Sequence, residues 1–255
     1  MIRAYGVSDA GRVRKINEDR YISDLELRLF AVADGMGGHQ AGEVASQLAV
    51  EALTAFIKLS VSDTDLTWPY GIDPTLSFDG NRLRTGICLA NRRVFRAAES
   101  SDDYAGMGTT MVGLLINGPQ VVIGSVGDSR LYLLSTNGLQ QVTVDDSWAA
   151  KILAQDPTLR PEEISHHPMR NVLTNVLGAR ETVDVSLTER ELSSGDVLLL
   201  CTDGVHGAVQ PAAIRHLILN TPDLETVPRK LVEMALDQGS RDNVTALVVR
   251  YEADR

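Results

Sequence analysis

Apolar and polar positions alternate along the chain in a way that predicts a series of short strands. Six runs have the length and composition of strands, at residues 29–33, 111–116, 121–126, 130–134, 197–201 and 245–251. Several of them follow one another through short turns, such as Asn117-Gly118-Pro119 and Thr136-Asn137-Gly138. Strands joined in this way favour antiparallel sheets over repeated strand-helix-strand units.

Other stretches carry apolar residues three and four positions apart, which is the spacing of a helix with one buried face. The clearest stripe runs from Ala45 to Ile57 and should pack on a sheet. Two further helices are predicted at about 83–98 and 224–238, and Pro228 marks where the last of these becomes helical. Residues 61–80 fit no regular element and are interpreted as a surface insertion.

Composition limits the class of protein. The chain has 255 residues, 44% of them apolar, without a repeat or linker, so we expect one domain over residues 1–255. The formal net charge of -10 disfavours nucleic acid or an anionic membrane as partner, because both require a basic surface. No signal peptide and no apolar run near the roughly 18 residues that span a bilayer are recognised, which predicts a cytoplasmic protein. Cys88 and Cys201 stand in apolar stretches and are expected to be buried, reduced thiols.

Acidic residues stand at the ends of several predicted strands. Asp34 follows FAVA, Asp128 follows VVIGSVG, Asp203 follows VLLLCT, and Asp242 comes just before the last strand. Asp34 alone could be an ordinary Asp-Gly turn. If the four strand ends converge, however, mutual repulsion would raise the pKa values and oppose folding unless cations neutralise the charge. Oxygen ligands favour Mg or Mn over zinc, and a bridged pair of ions can activate water, so the sequence predicts metal-assisted hydrolysis.

A charged stretch near the N-terminus, GRVRKINEDRY, could serve the substrate of such a centre. It supplies Arg12, Arg14 and Lys15, followed by Glu18 and Asp19. The planar fork of arginine matches a phosphate, and an acidic pair beside it could order metal-bound waters. A charged run of this kind is also typical of a solvated surface.

Seven stretches, taken together and in order, resemble the metal-dependent protein phosphatases, the family also called protein phosphatase 2C, and especially its small bacterial members. They are GRVRKINED, VADGMGGHQAGEVAS, GMGTTMVGLLI, VGDSRLYLL, HHPMRNVLTNVLGA, LLLCTDG and SRDNVTALVV. The resemblance spans nearly the whole chain. It implies an α+β fold, a four-layer αββα sandwich of two antiparallel β-sheets flanked by helices. It also implies a binuclear Mg/Mn centre at one end of the sandwich and a mobile flap over about residues 144–189.

The same resemblance implies roles for single residues. The metal ligands would be Asp34 as the bridging carboxylate, the Gly35 carbonyl on the second ion, Asp203 and Asp242 on the first ion, and Glu18 and Asp19 on the second, partly through water. Arg14 would grip the substrate phosphate. A hydroxide bridging the two ions would attack phosphorus in line, without a phosphoenzyme.

Two further positions concern proton transfer and a third ion. His39 matches a general acid for the departing serine or threonine oxygen, since an imidazole with a pKa of about 6.5 can supply a proton at neutral pH. The alternative is a loop histidine that shapes the turn before the helix. Asp128 resembles the ligand of a third, weaker metal ion shared with Asp203. Some family members have another acid four residues after that second aspartate, where this chain has Gly207.

The leading hypothesis is therefore a monomeric serine/threonine phosphoprotein phosphatase that reverses a bacterial-type protein kinase. One alternative is a catalytically silent protein of the same fold that binds a regulator or a phosphoprotein. Intact Asp34, Asp203 and Asp242 argue against it. Another alternative is a metal-dependent nuclease or phosphodiesterase, which the acidic charge and the lack of a basic groove in the sequence disfavour.

Overall fold

Two antiparallel sheets form the centre of the protein in a computed structural model, which describes residues 1–38, 41–62, 67–156, 158–164 and 167–253. Within these residues the strands are β1 (Ile2–Asp9), β2 (Asp19–Asp24), β3 (Leu29–Met36), β4 (Gly108–Thr109), β5 (Met111–Asn117), β6 (Gln120–Val126), β7 (Arg130–Ser135), β8 (Gly138–Gln141), β9 (Ser186–Glu191), β10 (Val197–Cys201) and β11 (Val244–Tyr251). The first sheet has the order β1-β11-β10-β7-β8. The second has the order β2-β3-β5-β6-β9, with β4 paired to β3.

The six strands predicted from the sequence all form, and both predicted turns join antiparallel neighbours. Asn117 pairs with Gln120 across the β5–β6 hairpin, and Ser135 pairs with Gly138 across the β7–β8 hairpin. Both are tight turns, which fix the register of the strands they join. The antiparallel arrangement expected from the short connections is therefore confirmed.

Helices cover the outer faces of the two sheets. Within the described residues they are α1 (Ala41–Ser62), α2 (Phe78–Ser100), α3 (Trp148–Gln155), α4 (Pro161–Ile164), α5 (Asp203–His206), α6 (Pro211–Asn220) and α7 (Val227–Asp237). The first two helices pack on each other and on the second sheet, and α7 packs on the first sheet. Two sheets between two helical layers give the αββα order that the resemblance implied.

Apolar side chains fill three layers of this sandwich. Phe30 and Leu198 belong to the layer between the sheets. Leu53 and Ile87 belong to the layer under α1 and α2, and Leu231 belongs to the layer under α6 and α7. Because the central strands β10 and β11 have a buried layer on each face, their sequences are apolar almost throughout.

The interpretation of residues 61–80 as a surface insertion is wrong at both ends. Residues 61–62 close α1, and residues 78–80 open α2, whose start is capped by the Ser77 hydroxyl accepting from the Gly80 N–H. In between, the Trp68 ring makes edge-to-face contacts with Phe56 and Phe78. The described part of this segment thus packs on the α1–α2 pair, and residues 63–66 lie outside the described part.

Several elements have no strong signal in the sequence. β1 and β9 are only half-buried and carry polar residues, so their apolar alternation is weak. α6 is a short helix that buries only three side chains.

The last residues of the predicted flap, 186–189, belong to β9 and pair with β6. The two cysteines are free, with Cys201 buried as expected and Cys88 only partly so.

The helix α1 is long and apolar enough to cross a membrane by length and composition, contrary to the expectation that no segment is. The apolar face of α1 is buried in this fold, since Leu53 and Ile57 are fully buried against the second sheet and α2. A core helix passes the same test of length and composition.

Candidate metal centre

The acidic residues predicted from the sequence reach one end of the sandwich from both sheets. Asp19 opens β2 and is the cross-strand partner of Asp34 on β3. Asp128 stands in the turn that carries the chain from β6 in the second sheet to β7 in the first. Asp203 follows β10 as the first residue of α5, and Asp242 precedes β11. Strand ends therefore deliver these side chains, as the sequence pattern predicted.

Two glycines permit the backbone to pass through this crowded region. A Cβ on Gly35 would lie 2.0 Å from the Gly42 carbonyl oxygen and 2.8 Å from that of Glu18, so only glycine lets the end of β3 approach the start of α1. Gly127 has φ +94, in the left-handed region, and turns the chain just before Asp128. Both glycines position an adjacent acidic residue.

A cavity of about 210 Å³ collects most of the predicted site residues. It is lined by Arg14, Glu18, Asp34, Gly35, Asp128, Asp203 and Asp242, together with Met36, Gly37, Thr110, Asn171 and Leu173. Asp19 is not among these residues, because it is 1% exposed and lies beneath the surface. The predicted catalytic His39 lies outside the described residues.

Burial and mutual repulsion raise the pKa values of these carboxyl groups. Burial raises the pKa of Asp34 well above its ordinary value, and the charges of its acidic neighbours raise it further. Burial raises the pKa of Asp19 and that of Asp128 to about 7. The pKa of Asp203 is also raised, by burial and then by the charge of Asp242. A cluster of this kind is stabilised by a cation at neutral pH.

Asp19 is held by two threonines that the sequence did not single out. Its Oδ2 accepts hydrogen bonds from the hydroxyls of Thr202, at 2.9 Å, and Thr245, at 2.7 Å. These bonds favour the charged carboxylate and oppose the effect of burial on the Asp19 pKa. Each threonine belongs to a motif noticed for its aspartate, LLLCTDG or SRDNVTALVV, so proximity to those acids is the signal that was available.

Asn243 is a second residue that the sequence did not single out. Its Oδ1 accepts from the Glu18 N–H at 2.9 Å, and its Nδ2 donates to the carbonyls of Ala10 and Ile16, both at 2.9 Å. One side-chain amide therefore joins the N-terminal charged stretch to the start of β11. It fixes Glu18 relative to Asp242, its own neighbour in the chain.

Buried oxygens without partners indicate that the cluster is built for a ligand. Within the described residues, Glu18 Oε1, Asp19 Oδ1 and Asp203 Oδ1 are buried and make no hydrogen bond. Native proteins rarely leave such atoms unsatisfied. Oxygen donors with several negative charges fit hard divalent cations such as Mg²⁺ or Mn²⁺. The residues present therefore match a divalent-cation centre in charge and in donor chemistry.

The acidic side chains of the cavity do not yet surround a common position at which an ion would be bound. Among the described residues, no group of three or more His, Cys, Asp and Glu side chains is arranged to hold an ion. One reason is visible at Asp242, whose Oδ2 accepts from Arg14 at 2.7 Å. Both partners of this ion pair are partly exposed, and exposed pairs contribute little stability, so Asp242 can exchange this contact for another at small cost.

His206 positions Asp128. Its Nε2 lies 3.0 Å from the Asp128 carbonyl oxygen, which can only accept, so Nε2 carries the proton. Burial lowers the pKa of His206 to about 4, and the ring is therefore neutral at pH 7. His206 directly precedes Gly207 and was not singled out from the sequence. Its structural role could not be seen from sequence.

The predicted flap borders the cavity through Asn171 and Leu173. It is fastened to the turn before Asp128 by the Asp146 carboxylate, which accepts from the Gly127 N–H at 3.0 Å and from Asn175 Nδ2 at 2.8 Å. The position of this segment therefore depends on the same turn that carries Asp128.

Comparison with known protein families identifies the family to which this fold and its acidic cluster belong. A sequence model of the family described as protein phosphatase 2C matches residues 12–239. The chain belongs to the protein phosphatase 2C family. The matched region includes Arg14, Glu18, Asp34, Asp128 and Asp203, and it ends just before Asp242.

Bacterial members of the protein phosphatase 2C family are similar to this chain over nearly its whole length. The serine/threonine protein phosphatase PstP of Mycobacterium tuberculosis is 36% identical over 248 residues, which is 97% of this chain and 45% of PstP, so this chain spans less than half of that relative. The serine/threonine phosphatase stp of Listeria welshimeri is 34% identical over 249 residues, 95% of this chain and 93% of that protein. A crystal structure of the PstP catalytic domain in complex with two manganese ions superimposes with a TM-score of 0.80 at 36% identity, covering 98% of this chain and 97% of that one.

Proposed function

We propose that the protein is a divalent-metal-dependent phosphatase that hydrolyses phosphoserine and phosphothreonine in proteins. The observation that carries the proposal is the convergence of Asp34, Asp128, Asp203 and Asp242 on one cavity beside Arg14. The manganese complex of PstP, a member of the same family, supports the requirement for metal.

The proposed metal ligands are the residues expected from the sequence. Asp34 would be shared by the two ions, Asp203 and Asp242 would help to hold the first, and Glu18, Asp19 and the Gly35 carbonyl would help to hold the second. Asp128 together with Asp203 forms the proposed weaker third site, to which Gly207 contributes no side chain. When bound, divalent cations supply a water activated at neutral pH and neutralise the charge of the phosphoryl group.

Other residues would act on the substrate. Arg14 lines the cavity with its guanidinium on Asp242, and it can offer the same planar fork to a phosphate. His39 is proposed to protonate the departing serine or threonine oxygen. Ser129 is a poor nucleophile, because it is buried and its hydroxyl pairs with Thr110 at 2.8 Å. The proposed reaction therefore proceeds without a phosphoenzyme.

The wider setting is proposed on the same basis. The chain is proposed to act as one cytoplasmic catalytic domain over residues 1–255 and as a monomer, with residues from about 144 to 189 as its flap, the last four of them in β9. The expected partners are phosphoproteins made by a bacterial-type serine/threonine kinase.

The test is hydrolysis of a phosphothreonine peptide by the full chain after chelation, with Mg²⁺ or Mn²⁺ then restored. The proposal predicts activity that returns with metal and is at least about 100-fold lower in Asp34→Asn. Asp102→Asn, which changes an exposed aspartate outside the cavity, is the matched control and should behave as the wild type. A folded wild-type chain that releases no phosphate with either metal would favour the catalytically silent alternative.

A further inference from the structure

A second, larger cavity opens beside the proposed metal centre. It has a volume of about 540 Å³ and shares Arg14, Asp203 and Asp242 with the cavity described above. From there it extends along the chain that follows α7, residues 238–242, which we call the 238–242 loop. A substrate held at Arg14 therefore has open space beside its phosphate on this side of the site.

The 238–242 loop is held firmly in place. At its start, the N–H groups of Gln238 and Ser240 donate to the carbonyls of Met234 and Ala235 at the end of α7, each at 2.9 Å. At its other end, the Asp242 carboxylate accepts from the Asn243 N–H at 2.9 Å. Asn243 is itself anchored to the N-terminal stretch. The wall of the cavity is therefore a fixed surface, on which side chains can select a ligand.

Arg241 is a charged residue on this wall whose side chain has no partner among the described residues. It is exposed, lines the cavity, and makes no hydrogen bond or ion pair with any residue that the structure describes. Of the other charged residues that line the cavity, Arg14 is paired with Asp242, and Asp203 belongs to the carboxyl cluster of the proposed metal centre. Two further residues that line the cavity, Gly204 and Gly207, present no side chain and therefore no charge.

These features favour an anionic group in the cavity. An arginine without a partner can bind a carboxylate with two parallel hydrogen bonds. Gln238 and Ser240, which also line the cavity, add uncharged hydrogen-bonding groups. The whole chain carries a formal charge of -10. An arginine without a described partner therefore places a local positive charge on a molecule that is negative overall.

We propose that this cavity binds the polypeptide segment next to the phosphorylated residue and that Arg241 selects substrates with acidic side chains there. The inference rests on the proposed phosphatase function and names the class of substrate that the site prefers. Arg241 is a specificity-determining residue in this proposal and takes no part in the chemical step.

The test compares three phosphothreonine peptides that differ only in flanking residues, with three Glu, three Gln or three Lys on each side. The readout is the ratio of kcat/KM values between peptides measured on the same enzyme variant. A ratio cancels any general damage to the neighbouring metal centre, which would lower all three rates together. Arg215→Ala and Arg215→Glu, which change an exposed arginine on α6 that does not line the cavity, are the matched controls.

In the wild type and in both Arg215 variants, the Glu peptide should be preferred over the Gln peptide about three- to fivefold, the upper part of the range for an exposed charge pair. The preference should fall at high salt. In Arg241→Ala it should disappear, and in Arg241→Glu the Lys peptide should become the best substrate.

Two results would overturn the proposal in different ways. Equal kcat/KM values for the three peptides in the wild type, or a Glu preference that survives in Arg241→Ala, would exclude Arg241 as the selecting residue and leave the phosphatase function standing. A wild type that hydrolyses none of the peptides with metal present would refute the proposed function, and this inference with it.

Discussion

At the scale of single residues, the charge of this site depends on which of its buried carboxyl groups carry a proton. Asp19 combines two opposed influences: burial raises its pKa to about 7, while the hydroxyls of Thr202 and Thr245 stabilise its charged form. In the folded chain without metal, Asp19 therefore holds its proton up to about pH 7. In the unfolded chain it loses that proton near its ordinary value of 3.8.

The first prediction concerns stability against pH without metal. Between about pH 4 and pH 7 the folded state binds more protons than the unfolded state, so the free energy of unfolding should fall as pH rises. We expect the chelated wild type to be about 1–3 kcal/mol less stable at pH 7.5 than at pH 5.5 in urea unfolding.

Asp19→Asn should reduce this pH dependence because the amide does not titrate, whereas Asp102→Asn should keep the wild-type slope. Saturating Mn²⁺ should raise the stability at pH 7.5. A chelated wild type whose stability stays constant or rises over this pH range would refute the account of the carboxyl cluster.

At the scale of elements, the site depends on how closely β3 meets the start of α1. We predict that Gly35→Ala destabilises the protein by about 2–3 kcal/mol, because the added methyl group would collide with the Gly42 and Glu18 carbonyl oxygens. Gly38→Ala, which lies just after β3, has no atom of the described residues within 4 Å of its added carbon and should cost at most about 0.5 kcal/mol. Urea unfolding of both variants measures the difference, and equal stability would contradict this close approach.

The attachment of the flap is a second property of elements. Asp146→Ala removes the acceptor of the Gly127 and Asn175 hydrogen bonds, so we predict about tenfold faster amide hydrogen exchange over residues 171–176, with β10 and β11 unchanged. Asp184→Ala changes an exposed carboxylate of the same segment and is the control. Unchanged exchange in Asp146→Ala would show that other contacts hold this segment.

The elements also explain how far the sequence could lead. β10 and β11 were predictable because burial on two faces leaves a continuous apolar run, and α1 because burial on one face leaves a stripe. β1 and β9 were not predicted, because half-buried edge strands require few apolar residues. Asp34 and Asp203 were found as acids at strand ends. Thr245 and Asn243 act through contacts between distant parts of the chain, which no local pattern records.

At the scale of the whole molecule, the site belongs to neither sheet alone. Asp19 and Asp34 come from the second sheet, Asp203 and Asp242 adjoin strands of the first, and Asp128 lies on the connection between them. The carboxylates converge only when the two sheets pack, so ion binding and folding of the entire sandwich are thermodynamically linked. Ions bound at this cluster would offset its buried acidic charge in the folded state.

The central claim is that this convergence forms a centre for two divalent ions with Asp34 between them. The most direct test is equilibrium dialysis of the chelated full chain against Mn²⁺, counting the ions bound per chain in the wild type, Asp34→Asn and Asp102→Asn. We predict two tightly bound ions in the wild type and in Asp102→Asn, and the loss of both in folded Asp34→Asn. A wild type that binds no Mn²⁺, or an Asp34→Asn variant that binds it as tightly as the wild type, would contradict the claim.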